Sequence, residues 1–184
     1  MTRARSGVVS VTPPEGRIEY DRAPDAQLEG YRTSKGLKVS YVHGPRSELR
    51  AVGSSGSGAQ GEDRGAAEFG YDTSDGARTW VSYPNGTWTR YVRDARGQVS
   101  AVEHRRGGAP SSATVGVAMA PASGELLLGL AYGRDASGLV TSVTETGSER
   151  PEGVVVRSYG HDRWKRLVSE STVVAGVATD LFDA

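Results

Sequence analysis

At 184 residues the chain is long enough for one domain that buries about 70% of its unfolded surface. Its 25 glycines are close to twice the usual share of about 7%, and alanine-rich helical periods are missing, so short strands and turns are favoured over helices. Twenty-two Lys and Arg balance 22 Asp and Glu, which removes the electrostatic argument for nucleic acid or an anionic membrane, and the lack of cysteine excludes disulfides and thiolate metal sites.

Residues 1–15 read as an N-terminal tail. The opening Met1 to Ser10 is basic but offers no apolar stretch of the roughly 7–15 residues a Sec signal peptide needs before Pro13-Pro14. From residue 16 to 184 the chain reads as sheet. Its first clear phrase is Tyr41-Val42-His43-Gly44 through Leu49-Arg50-Ala51-Val52, an aromatic strand residue, a polar turn and an aliphatic strand residue, entered from Thr33-Ser34-Lys35-Gly36. The stretch 53–66 has the Gly and Ser content of a flexible loop. Within it, Gly56-Ser57-Gly58-Ala59-Gln60-Gly61 matches the letters of a dinucleotide-binding loop. That function needs a helix opening at the third glycine, and Glu62-Asp63-Arg64-Gly65 follows instead, so no cofactor is expected.

Beyond Tyr71-Asp72, Pro84-Asn85-Gly86 should join strands Thr79–Tyr83 and Thr87–Tyr91, because proline presets φ at the second turn position and glycine accepts the left-handed one. The phrase then recurs as Tyr91-Val92-Arg93-Asp94-Ala95-Arg96-Gly97-Gln98-Val99-Ser100-Ala101-Val102, and a loop over 105–112 follows. Between Thr114 and Tyr132, the most apolar window is cut by Pro121, Ser123 and Glu125, too short for a membrane span of about 20 residues. There Val115, Val117 and Met119 alternate with small residues, a strand pattern. Pro121-Ala122-Ser123-Gly124 leads into the next phrase, Tyr132-Gly133-Arg134-Asp135-Ala136-Ser137-Gly138-Leu139-Val140-Thr141-Ser142-Val143. Pro151-Glu152-Gly153 leads into Tyr159-Gly160-His161-Asp162-Arg163-Trp164-Lys165-Arg166-Leu167-Val168, where Lys165 replaces the glycine. The run Ser171 to Ala178 is β-prone, uncharged and free of proline, the composition of an edge that recruits other strands, so the isolated chain is expected to self-associate through it.

Turn chemistry explains the phrase. Asp94 and Asp135 open a four-residue turn, where a carboxylate accepts from N–H groups two residues on; Gly97 and Gly138 close it, where φ is often positive. Tyr on one side and Val99, Val140 or Leu167 on the other are strand formers, so each phrase predicts strand, tight turn, strand. The tyrosines Tyr41, Tyr91, Tyr132 and Tyr159 lie 50, 41 and 27 residues apart, too uneven for a rigid solenoid but suited to a sheet with variable loops.

These phrases resemble the YD-repeat, or Rhs, family, whose units read "Tyr-x-Tyr-Asp-x-x-Gly-Arg-Leu" after a "Pro-Asp-Gly" turn. Tyr71-Asp72 supplies the namesake pair. Tyr91-x-Arg93-Asp94, Tyr132-x-Arg134-Asp135 and Tyr159-x-His161-Asp162 match the longer form, with Arg or His for the second Tyr, over about residues 31–171. The resemblance implies an all-β fold: a twisted antiparallel sheet of short hairpins, a fragment of a spiralling shell like those of bacterial polymorphic toxins, the C components of insecticidal toxin complexes and teneurins. The implied role is non-catalytic, enclosing or scaffolding a C-terminal toxin or mediating cell-surface contacts. Implied partners are further repeats of the shell or the enclosed segment, and the implied destination is secreted or cell-surface. The terminal Asp-rich and Pro-Gly motifs of the family's autoprotease have no equivalent after Tyr159, and the end from Val173 to Ala184 reads as a strand and a stop, so a piece of shell is expected.

Other motifs have plain structural readings. His43 and His161 replace the family's second tyrosine and, with His104, are too far apart in sequence for a metal pattern; no metal site is expected. Asp72, Asp94, Asp135 and Asp162 each belong to a separate turn, so no carboxylate pair for acid–base work, and no enzyme, is expected. Trp80, Tyr83, Trp88 and Tyr91 flank one hairpin. Cross-strand aromatic pairs of this kind are worth roughly 0.2–1 kcal/mol each, which is reason enough for them, although the same strip would serve a carbohydrate-binding module as a stacking platform. Asn85-Gly86-Thr87 has the letters of a glycosylation sequon in a turn that wants Asn-Gly for its backbone.

Overall fold

The structure, a computed structural model, describes residues 6–11, 16–56, 63–108, 123–174 and 177–183. Among them are fourteen strands and no helix. The chain divides into two units, Met1–Gly70 with Ser82–Asn85, and Tyr71–Val81 with Gly86–Ala184. The first holds β1 (Ser6–Val11), β2 (Ile18–Arg22), β3 (Leu28–Thr33), β4 (Lys38–His43), β5 (Leu49–Ser55) and most of β6 (Asp63–Tyr71). The second holds most of β7 (Arg78–Ser82), then β8 (Thr87–Arg93), β9 (Val99–Arg106), β10 (Glu125–Arg134), β11 (Val140–Thr146), β12 (Val155–His161), β13 (Leu167–Val174) and β14 (Val177–Asp183).

In each unit hydrogen-bonded strands are neighbours in sequence, so each sheet is a meander of antiparallel hairpins. That order follows from the local turns, since a tight loop joins only adjacent antiparallel strands. Alternation of buried and exposed positions is weak: β9 and β11 are half-buried at almost every position. Only Val39 in the first unit and Val81, Trp88, Leu127 and Val155 in the second are buried hydrophobic side chains among the described residues. Stability of such a sheet rests on ladders, turns and cross-strand pairs more than on an enclosed core.

Four expectations change. The stretch taken as a tail contains β1, whose Val8, Val9 and Val11 are β-branched and whose backbone pairs with β2 from Val11↔Ile18 to Ser6↔Arg22. The described part of the expected loop over 53–66 is strand at both ends: β5 runs to Ser55 and β6 begins at Asp63, with Gly53↔Ala66 paired, since a glycine in a ladder keeps its backbone hydrogen bonds whatever its flexibility in solution. The expected free edge at 171–178 is interior over its first half, while Val177 and Ala178 belong to β14, the last strand in the order. Ser171 to Val174 pair with β12 on one side and with β14 on the other, because the β-prone run supplies both arms of a hairpin, Val174↔Val177. The loop predicted over 105–112 begins later, since β9 extends through Arg106. The alternating Val115–Met119 run and the Gly56–Gly61 letters lie wholly or mainly outside the described residues.

Candidate functional site

The geometry that distinguishes this chain sits at the hairpin tips. In four phrases the tyrosine pairs across the hairpin with the residue eleven positions on: Tyr41↔Val52, Tyr91↔Val102, Tyr132↔Val143 and Tyr159↔Glu170. A fifth pair, Tyr20↔Tyr31, has the same spacing, with ring centroids 6.2 Å apart. The register shifts one residue before each loop, at Asp21/Arg22, Val42/His43, Val92/Arg93, Gly133/Arg134 and Gly160/His161, the mark of a bulged hairpin. The bulge is closed by a left-handed residue: Ala26 (φ 67°), Ser47 (φ 62°), Gly97 (φ 76°), Gly138 (φ 89°) and Lys165 (φ 65°).

The loop backbone closes identically each time. Asp94 N–H donates to the Gln98 carbonyl, and Gly97 N–H donates to the Asp94 carbonyl; Asp135 with Leu139 and Gly138, and Asp162 with Arg166 and Lys165, repeat the pattern, as do Gly44 with Glu48 and Ser47. The carboxylate then fastens the loop from inside. Asp94 Oδ1 accepts from the N–H groups of Arg96 and Gln98, Asp135 Oδ1 from Ser137 and Leu139, and Asp162 Oδ1 from Trp164 and Arg166, at 2.8–3.0 Å. The Ser137 hydroxyl is the largest influence holding the Asp135 carboxyl below the usual range; partial burial opposes it and the Leu139 and Ser137 N–H groups reinforce it.

Where the phrase lacks its aspartate, a neighbour fills in. Glu48 Oε2 accepts from Arg46 N–H at 2.9 Å, and the carboxylate occupies the space that a side chain on Gly44 would need. The hydrogen bond from its own backbone leads in holding the Glu48 carboxyl low, against a partial-burial effect and with help from Arg50. In the fifth hairpin Asp25 Oδ1 accepts from Gln27 N–H at 3.1 Å. The sequence hides this N-terminal hairpin because Ala23 and Ala26 replace the aspartate and the glycine; Tyr20-x-Arg22 and the eleven-residue spacing are its signal. Tyr71-Asp72 opens a turn one residue longer, where Asp72 N–H donates to the Ala77 carbonyl and Asp72 Oδ1 accepts from Ser74 N–H at 2.7 Å.

The phrase's arginine, read as a stand-in for tyrosine, has its own task. Arg22, Arg93 and Arg134 each donate through Nη1 to the carbonyl of the left-handed residue, Ala26, Gly97 and Gly138, at 2.8–3.0 Å. Arg134 Nη2 also reaches the Val99 carbonyl and Arg96 Nη1 the Ala136 carbonyl, which ties the β8–β9 tip to the β10–β11 tip.

The aromatic strip is divided. Trp88 is 2% exposed and its Nε1–H donates to the Gly107 carbonyl at 2.8 Å, while strand alternation puts Tyr91 on the other face, where the Arg78 guanidinium lies 5.2 Å from its ring centre. Trp80 is half-buried, and Tyr83, 39% exposed, belongs to the first unit. Gly86, beyond Pro84 and Asn85, has φ 76°. On the face that Trp88 shares, buried Arg90 donates to Glu103 Oε1 at 2.7 Å and Arg105 to Oε2 at 2.9 Å. Burial by itself would raise the Glu103 carboxyl, and the two guanidiniums outweigh it and hold it low. Glu145 is likewise gripped by Arg150 and by Arg157. His104 Nδ1 sits 3.0 Å from Thr89 Oγ1. Among the described residues no three His, Asp or Glu are grouped to hold a metal, and no helix is long and apolar enough to cross a membrane.

No family model matches the chain, and no curated protein sequence matches it. Solved structures do. A crystal structure of TcdB2-TccC3-Cdc42 superposes on 85% of this chain with a TM-score of 0.66 at 15% identity. A crystal structure of TcdB2-TccC3 without its hypervariable C-terminal region covers 92% with a TM-score of 0.64 at 12% identity. The Photorhabdus luminescens Tc holotoxin pore structure covers 90% with a TM-score of 0.55 at 13% identity. The chain spans 7–9% of the length of these chains. The all-β antiparallel fold implied by the YD phrases is thus the fold found in these TcdB2-TccC3 and Tc holotoxin structures.

Proposed function

We propose that this chain is a non-catalytic wall segment of an Rhs-type YD-repeat shell, one that encloses or scaffolds a toxic segment in a secreted or cell-surface assembly. The observation that carries this reading is the recurrence of one hairpin five times, with the same eleven-residue cross-strand pair, the same bulge and the same left-handed residue. A wall needs many equivalent, locally closed units that add side by side, and this hairpin is such a unit. The likeness to toxin-complex structures supports it at the level of fold.

The role of the carboxylates fits a wall better than catalysis. Each phrase aspartate turns its Oδ1 to the N–H groups of its own loop, and Glu103 and Glu145 are spent on guanidiniums. A stacking platform for sugars needs an open ring face, whereas Trp88 is enclosed. The partner proposed for the sheet is the next repeat. β14, with a single hydrogen-bonded neighbour among the described residues, offers backbone groups for another strand.

Protease protection tests enclosure. In the intact product of the gene that encodes this chain, a segment outside the repeats should resist protease until denaturant opens the sheet, then be cut. Equal cleavage of that segment before and after denaturation would contradict the enclosing role.

A further inference from the structure

One hairpin tip departs from the other four. The three residues that follow the turn-opening position are Pro24-Asp25-Ala26, Pro45-Arg46-Ser47, Ala95-Arg96-Gly97 and Ala136-Ser137-Gly138 elsewhere, but Arg163-Trp164-Lys165 between β12 and β13. Residues 163–167, Arg-Trp-Lys-Arg-Leu, are all exposed; Trp164 is 62% exposed and Leu167 45%, and among the described residues Trp164 is the most open of the large apolar side chains. Lys165 keeps φ at 65°, a conformation that glycine adopts in two sister hairpins without the Cβ conflict, so the loop itself does not call for lysine. Nor does it call for tryptophan, since only the Trp164 N–H contributes to closing it.

The Arg163 guanidinium lies 3.8 Å and that of Arg166 5.0 Å from the Trp164 ring centre. Arg166 also pairs with Asp162, which leaves the tip a surplus of two cations in a chain of zero formal charge. We infer that this tip is a docking point for anionic lipid headgroups at a membrane surface. A nucleobase or a sugar would stack on the indole face, and guanidinium groups already lie over that ring. A headgroup layer instead takes an indole together with its cations: Trp favours the membrane–water boundary, the cations meet lipid phosphates, and Leu167 adds apolar area beside them. Neutrality of the whole chain excludes a long-range attraction, and the local surplus acts within roughly 10 Å of the surface.

The test is sedimentation with vesicles of phosphatidylcholine containing about one third phosphatidylserine, against vesicles of phosphatidylcholine alone, at low and physiological salt. Each cation near an anionic surface is worth roughly fivefold in partitioning. Arg163→Glu with Lys165→Glu should therefore reduce binding more than tenfold, and Trp164→Ala several-fold, whereas Arg46→Glu at the β4–β5 tip should leave it within about twofold. Circular dichroism would establish that each variant keeps its strands. No preference for the anionic vesicles, or equal binding by the wild type and Trp164→Ala, would overturn the inference. Tip-dependent binding to duplex DNA or polyglutamate without vesicle binding would overturn it in favour of those partners. Because the protein used is this chain alone, failure here would leave the proposed wall role standing.

Discussion

At the scale of single residues, the left-handed position of each hairpin sets the terms. It is occupied by Gly97 and Gly138, but also by Ala26, Ser47 and Lys165, where a Cβ crowds the following carbonyl at a cost of roughly 1–2 kcal/mol. A Cβ added at Gly97 would meet no heavy atom within 4 Å, so the first cost of substitution there is backbone strain. Thermal melts should show Gly97→Val lowering stability by at least about 1 kcal/mol and Lys165→Gly raising it, by somewhat under 1 kcal/mol once glycine's greater freedom in the unfolded chain is counted. Melts in which both substitutions destabilise would mean that Lys165 makes a stabilising contact that the fold does not display.

The loop carboxylates predict a pH response. Asp135, held low by the Ser137 hydroxyl and the Leu139 and Ser137 N–H groups, and Asp162, held low by the N–H and guanidinium of Arg166 against partial burial, both have folded pKa values below their unfolded ones. Their stabilisation is therefore complete above the unfolded value of about 4 and lost as pH falls through the lower folded values. Acid titration followed by circular dichroism should show Asp135→Asn flattening the loss of stability below pH of about 4, while leaving the slope near neutrality unchanged.

At the scale of elements, the hairpins were legible because turn chemistry is local. The aspartate, the glycine and the strand formers of Tyr91 to Val102 state the loop in twelve letters, and the Tyr91↔Val102 pairing follows. Where the letters drift the backbone does not. The Tyr20–Tyr31 hairpin keeps its bulge with Ala26, and Glu48 supplies the missing carboxylate from the far side of its loop, neither of which residue types alone disclose. β1 and the strands bordering residues 57–62 are hidden for other reasons: the valines of β1 stand between a basic start and Pro13-Pro14, and Gly-rich segments carry little preference of their own, so the neighbouring strand decides their pairing. The aromatic residues read as one strip fall on opposite faces because Trp88 and Tyr91 are three residues apart on a strand with period two.

Trp88 is the anchor that the ladder does not supply. Its enclosed ring and its bond to the Gly107 carbonyl fix the end of the β8–β9 pair beside buried Arg90, which Glu103 keeps compensated. Trp88→Ala should cost about 3 kcal/mol or more in denaturant titration, the usual range for a buried tryptophan. A glycan array probed with the same variant should show no signal to lose. Unchanged stability combined with a lost glycan signal would move the aromatic residues from anchor to binding site.

At the scale of the whole molecule, the sheet asks for company. Few side chains are buried among the described residues, β9 and β11 are half-buried on both faces, and stability is spread over repeated loops in place of one core. An open sheet of this kind is what the proposed wall role requires, since further repeats would complete it. Electron cryomicroscopy of the intact product of its gene tests that claim most directly. The account predicts a hollow particle in which these hairpins form part of a continuous wall one sheet thick. A solid particle, with the same hairpins packed face to face against a second layer and no enclosed space, would contradict it.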